Sequence, residues 1–148
     1  MTKTNSNNQI LPRSGIPLRG TNSKQSLNSN YQNSKQFDLE ERTFNFARRC
    51  RVFVKGLLRT ISNIEDGKQL IRASGSQAAN YIEANEALSK KDFLMRIKIC
   101  RKESKESRLW LKLIKLGDGT NLIKEQKELI QEATELLKIF SAIVKKSE

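Results

Sequence analysis

The chain from Phe37 onward predicts an all-α fold, an antiparallel up-down-up-down four-helix bundle, and three observations carry that expectation. No proline occurs between Phe37 and Glu148, which removes the strongest helix breaker from 112 residues. Apolar residues recur through this stretch at three- and four-residue steps, the spacing of one helix face. The polar interruptions between those runs are short, and short connections join antiparallel neighbours. Composition agrees: 30% charged and 6% aromatic residues suit a bundle better than a sheet sandwich.

Residues 1–36 stand apart. They hold seven Asn, six Ser, both prolines and five Lys or Arg, with no acid. Few apolar residues recur at any period, so the segment is expected to be a disordered basic tail in front of a bundle at 37–148. An acid-free, Ser-rich start also resembles an organellar transit peptide, although Arg13 and Arg19 are its only arginines.

Asp38-x-x-Glu41 reads as a capping box that opens the first helix. Leu39, Thr43, Phe46, Ala47, Cys50, Phe53, Val54, Leu57 and Ile61 form its apolar stripe. Arg48, Arg51, Lys55 and Arg59 lie opposite, with Phe44 among them. A turn at Asn63 and Glu65–Gly67 precedes a second helix from about Gly67 to Ala87. Its apolar arc is Leu70, Ile71, Ala78, Tyr81 and Ile82. Arg72, Ser76, Asn80 and Glu83 form a polar stripe beside that arc, and Ala73, Gly75, Ala78 and Ala79 are small enough to admit a neighbour closely.

Ser89-x-x-Asp92 is the capping box of the third helix, which is expected to end at Leu116–Gly117. Phe93, Ile97, Cys100, Ser104 and Leu111 make one seam, and Ile99, Trp110, Leu113 and Ile114 widen it. Lys98, Arg101, Lys102, Lys105, Arg108 and Lys112 occupy the remaining side, while Glu103 and Glu106 fall within the apolar arc and ask for partners. Gly117-Asp118-Gly119 is a turn, and Thr120 or Asn121 caps the fourth helix. Leu122, Leu129, Ala133, Leu136, Leu137, Phe140, Ile143 and Val144 are its core stripe.

The ordered succession from Gln69 to Leu111 resembles a family of four-helix-bundle proteins encoded in intervening sequences of bacterial 23S ribosomal RNA genes. Its helix 2 pattern appears here as Gln69, Arg72-Ala73, Ser76, Asn80 and Glu83. Ser89, Asp92 and Phe93 follow, then Lys102-Glu103, Glu106 and Trp110-Leu111. Where that family often has Gly after the helix 2 Glu, this chain has Ala84. The resemblance covers 37–148 and implies a left-turning bundle, commonly assembled as a homopentameric ring. It also implies likeness in shape to the basic accessory proteins of diversity-generating retroelements, which are associated with nucleic acid and a reverse transcriptase.

Function is constrained mainly by exclusion. The chain has no histidine, which excludes Ser-His-Asp and Cys-His nucleophile systems and His-ligated metals. The two cysteines are fifty residues apart without CxxC spacing, and no P-loop pattern occurs. No catalytic residue, metal or cofactor is expected, and the chain reads as non-enzymatic. Cys50 and Cys100 read as reduced core residues of a cytoplasmic protein, with a disulfide between them left open. No apolar run is long enough to span a membrane.

Arg72, Ser76, Asn80, Glu83, Glu103 and Glu106 read as a structural polar network that sets helix register. The net charge of +12 draws polyanions. Arg48, Arg51, Lys55, Arg59, Lys98, Arg101, Lys102, Lys105 and Lys112 are therefore the candidate contacts to RNA or DNA, through phosphates and with little sequence readout. Against this stands the plain reading of a solvated helix face. The alternative function is an oligomeric adaptor for a protein partner, such as a reverse transcriptase, with the charge serving solubility.

Overall fold

The computed structural model describes residues 23–118 and 120–148, with side chains from Leu39 onward. Among the described residues four helices succeed one another: α1 (Ser23–Lys55), α2 (Ile61–Asn85), α3 (Lys90–Leu113) and α4 (Leu122–Ser147). The chain divides into two compact units between Phe37 and Asp38, one residue beyond the expected boundary. Residues 23–36 of the expected tail are helical and belong to α1. The expectation of disorder for 1–22 lies outside the described residues. The unit Asp38–Glu148 holds all the candidate site residues.

Each helix buries most of the stripe that its apolar spacing marks, but Ile82, expected in the apolar arc of α2, is 54% exposed because it lies at the edge of that arc away from the core. Phe46, Cys50 and Phe53 of α1, Leu70 and Tyr81 of α2, Ile97, Cys100 and Leu111 of α3, and Leu129, Leu136 and Phe140 of α4 share one core. Tyr81 and Phe140 pack ring to ring at 5.9 Å, tilted by 51°. Burial of each large side chain contributes about 2 kcal/mol.

Contacts between neighbours fix an antiparallel order. Arg42 and Arg49 of α1 reach Glu132 and Glu125 of α4, so numbers rise on one helix as they fall on the other. Glu40 and Asn85 join α1 to α2, at 2.7 Å. Gln77 donates to the Ser104 hydroxyl between α2 and α3, and Lys98 meets Glu148 between α3 and α4. The neighbours close a cycle, which leaves α1 and α3 at opposite corners.

α1 approaches α2 closely at Gly67, where a Cβ would stand 2.9 Å from Val54 Cγ1. Gly67 thus adds a close approach ahead of the small residues Ala73, Gly75, Ala78 and Ala79. Gly75 lies under the Arg51 guanidinium instead.

Several helix ends differ from expectation. Asp38 and Glu41 stand inside α1, which opens at Ser23, so their pairing opens no helix. α1 stops at Lys55, where the Gly56 and Leu57 amides donate back to Phe53 and Val54 in a tightened last turn. Ile61 consequently leaves the stripe and is 86% exposed. The second helix begins six residues before Gly67 because Thr60 caps it: the Thr60 side chain accepts from the Asn63 amide at 3.1 Å. Asn63 and Glu65–Gly67 are thus helical, not a turn.

α3 ends at Leu113, three residues early, because its last carbonyls find a partner on another helix. The Gln126 side-chain amide of α4 donates to the Leu111 and Ile114 carbonyls, both at 2.9 Å. Ser89 caps α3 as expected, accepting from the Asp92 amide at 3.0 Å. At α4 the Thr120 hydroxyl accepts from the Leu122 amide at 3.2 Å, and Asn121 makes no side-chain cap bond.

Candidate nucleic-acid interface

The cations of α1 divide by where their helix turn points. Arg42 and Arg49 face α4 and are neutralised there. Arg42 binds Glu132 with two parallel bonds, Nε at 3.1 Å and Nη2 at 2.5 Å, and lies 3.6 Å from Glu135. Arg49 bonds Glu125 and sits 3.2 Å from Glu128.

Arg48, Arg51 and Lys55 are exposed. Arg48 stands over the exposed Phe44 ring, 6.0 Å from its centroid. Arg51 donates to the Ala47 carbonyl at 2.9 Å and leans toward α2. Arg59 is exposed but belongs to the connection after α1, since the helix has already ended. None of these four forms an ion pair among the described residues.

On α3, Lys98 pairs with Glu148 at 3.2 Å and Lys102 lies 3.9 Å from Glu103. Arg101, Lys105 and Lys112 form no ion pair among the described residues. The two cationic sets occupy opposite corners of the bundle, so the structure does not gather the nine sequence-derived candidates into one surface. It presents two faces of different character. The α1 face is cationic, with the exposed Phe44 and Val52 beside it. The α3 face carries large apolar side chains among its lysines: Met95, Leu109 and Leu113 are each about half exposed, at 48%, 49% and 48%. Leu113 thus leaves the buried seam to which its spacing had assigned it.

The sequence reading overlooked a second regularity of this face. Lysine recurs every seven residues, at Lys91, Lys98, Lys105 and Lys112. A seven-residue repeat drifts little around a helix, so the four lysines border one edge of the face. The period was visible in the sequence, but the exposure of the apolar positions beside it was not.

The expected polar network resolves into two groups and one outlier. Arg72, Ser76, Glu103 and Glu106, with Gln69 and Lys102, line a polar cleft of about 300 Å³ between α2 and α3. Burial raises the Glu103 carboxyl above the ordinary glutamate range, and the neighbouring Glu106 charge adds to this. Lys102, the Ser76 hydroxyl and Arg72 pull the other way. In the second group, Asn80 donates to the Ser76 carbonyl at 2.9 Å and accepts from Arg96 at 3.0 Å. Glu83 is exposed and joins neither group.

Both cysteines are buried and free. Burial pushes each thiol up to about 12, which leaves neither as a nucleophile at neutral pH. Among the described residues no cluster of Cys, Asp and Glu is placed to hold a metal ion, and no helix is long and apolar enough to cross a membrane.

The chain is similar to the crystal structure of a protein of unknown function from the S23 ribosomal protein family of Bacteroides thetaiotaomicron. The likeness has a TM-score of 0.60 at 26% identity and covers 75% of this chain and 98% of the other. The family of that neighbour loosely fits the resemblance carried by Gln69–Leu111. No protein-family model and no curated protein matches the chain.

Proposed function

We propose that this is a non-enzymatic, cytoplasmic, basic protein that binds RNA or DNA through phosphates with little sequence preference. The single observation that carries the reading is the contrast within α1. Arg42 and Arg49 are matched to glutamates of α4, whereas Arg48, Arg51 and Lys55, with Arg59 just beyond the helix, are exposed and form no ion pair among the described residues. An unneutralised cationic row gains most from a polyanion, because each phosphate it contacts releases a condensed counterion. The Asp38–Glu148 unit retains an excess of positive charge, since 23 basic and 16 acidic residues fall after residue 36.

The resemblance to the intervening-sequence proteins supports a homo-oligomer, and specifically a homopentameric ring. Repetition of the α1 face around a ring multiplies the contacts available to one strand. Light scattering on the purified chain measures the subunit number.

The binding test uses a structured RNA and a DNA duplex at several salt concentrations. The variant Arg48→Gln/Arg51→Gln/Lys55→Gln/Arg59→Gln is expected to weaken both complexes and to flatten the dependence of log Kd on log salt. Equal affinity and equal salt slope for the variant and the original chain would refute the reading.

A further inference from the structure

The outer face of α3 has a construction that phosphate binding does not require. Met95, Ile99, Lys102, Glu106, Leu109 and Leu113 succeed one another at alternating four- and three-residue steps. That alternation is the seam along which one helix receives another. The seam lies opposite the buried Ile97, Ser104 and Leu111 of the same helix, so it faces away from the core. Its two apolar ends adjoin open depressions of about 490 and 450 Å³. One is lined by Leu94, Met95 and Ile99, the other by Leu109, and lysines border both.

We infer that this face is a docking surface for an acidic amphipathic helix of a protein partner. Charge selects that occupant. Lys91, Lys98, Lys105 and Lys112 run along one edge at a period of seven, and only Lys98 has an ion pair among the described residues. A partner helix with glutamate or aspartate at the same period would meet a lysine on every second turn, while its apolar seam covered Met95, Leu109 and Leu113.

The competing occupants fit less well. A second copy docked α3 against α3 would set one lysine edge against another, and a ring contact, in which α3 would meet a different surface of its neighbour, is an outcome of the test below. A membrane would draw Lys102 and Glu106, in the middle of the seam, toward hydrocarbon. Nucleic acid would use the lysines and leave the leucines without a role. The inference is independent of nucleic-acid binding through α1.

The test uses the full chain and two fluorescein-labelled synthetic peptides of identical composition. One places Glu every seven residues beside a Leu/Ile seam, and the other is scrambled. The amphipathic peptide is expected to bind at least tenfold more tightly than the scrambled one. Leu109→Ser/Leu113→Ser should abolish that difference while thermal stability and RNA affinity stay unchanged. Lys105→Glu/Lys112→Glu should also weaken the amphipathic peptide at least tenfold.

Equal affinity for the two peptides would overturn the inference, because charge alone would then account for binding. So would Leu109→Ser/Leu113→Ser binding the amphipathic peptide as tightly as the original chain does. Dissociation of an oligomer by that same variant would assign the face to a second copy. Binding of phosphatidylserine-containing vesicles without binding of the peptide would assign it to a membrane.

Discussion

Asn63 makes the most demanding energetic statement in the bundle. Its side chain is almost wholly buried, yet it sits one turn into α2, beside the end of α1 and the end of α3. Its Nδ2 donates to the Leu58 carbonyl at 3.2 Å and to the Lys115 carbonyl at 3.0 Å. Its Oδ1 accepts from the Lys115 amide at 3.2 Å. One residue thus ties two connections, far apart in the chain, to the start of a helix.

Asn63→Ala removes all three bonds and leaves their backbone partners to find water at a closed end of the bundle. At about 1 kcal/mol for each bond, the expected loss is about 3 kcal/mol. For a chain of this size that corresponds to a fall in Tm of about 10 °C. The assay is urea denaturation followed by circular dichroism, paired with hydrogen exchange at the Lys115 amide, which should lose protection. The control is Thr60→Ala, which removes only the cap bond to the Asn63 amide and should cost about 1 kcal/mol. A loss below about 0.5 kcal/mol for Asn63→Ala, with Lys115 still protected, would show that the loops are held by apolar packing rather than by this amide.

Two other perturbations probe the α2–α3 contact. Ser104→Ala strands the buried Gln77 side-chain amide, which donates to that hydroxyl, and should cost about 2 kcal/mol. Gln77→Met/Ser104→Ala should recover most of the loss, because the Gln77 Oε1 is already buried without a partner; a double mutant no more stable than Ser104→Ala is the contrary result. Glu103 concerns pH. Its carboxyl is raised in the folded state, so the native chain holds that proton more tightly than the unfolded chain does, and ionisation costs stability as pH rises through the raised value. Glu103→Gln should therefore be the more stable form at pH 7, with the advantage gone below about pH 4, where both states bind the proton. Paired denaturation curves at the two pH values measure this, and an advantage that persists unchanged at the lower pH contradicts it.

Helix identity and order were legible in the sequence because they rest on periodicity, and the buried Leu129, Ala133, Leu136, Phe140 and Val144 of α4 keep to that period closely. The Ser89 cap was legible for the same kind of reason, since its donor and acceptor are three residues apart. Helix ends set by distant partners were not. Nothing near Asn63 or Gln126 in the chain signals that each will bond carbonyls at or just beyond the end of α3, because those bonds exist only after helices have packed. The cationic residues were legible as a set, but a helical wheel drawn for each helix separately cannot say that α1 and α3 occupy opposite corners. Nor can it say which arginines a neighbouring helix neutralises, as α4 does for Arg42 and Arg49 and not for Arg48.

The corner placement of the cationic sets also gives each subunit a valence. If both faces take phosphates, a strand bound along α1 leaves α3 open, and a second strand can be held by the same bundle. Near charge balance such a protein links strands into a network and clouds the solution. In large excess it coats each strand separately, and the solution clears again. If α3 is instead occupied by an acidic helix, that valence falls to one per subunit, and the bound partner converts a cross-linker into a simple coat.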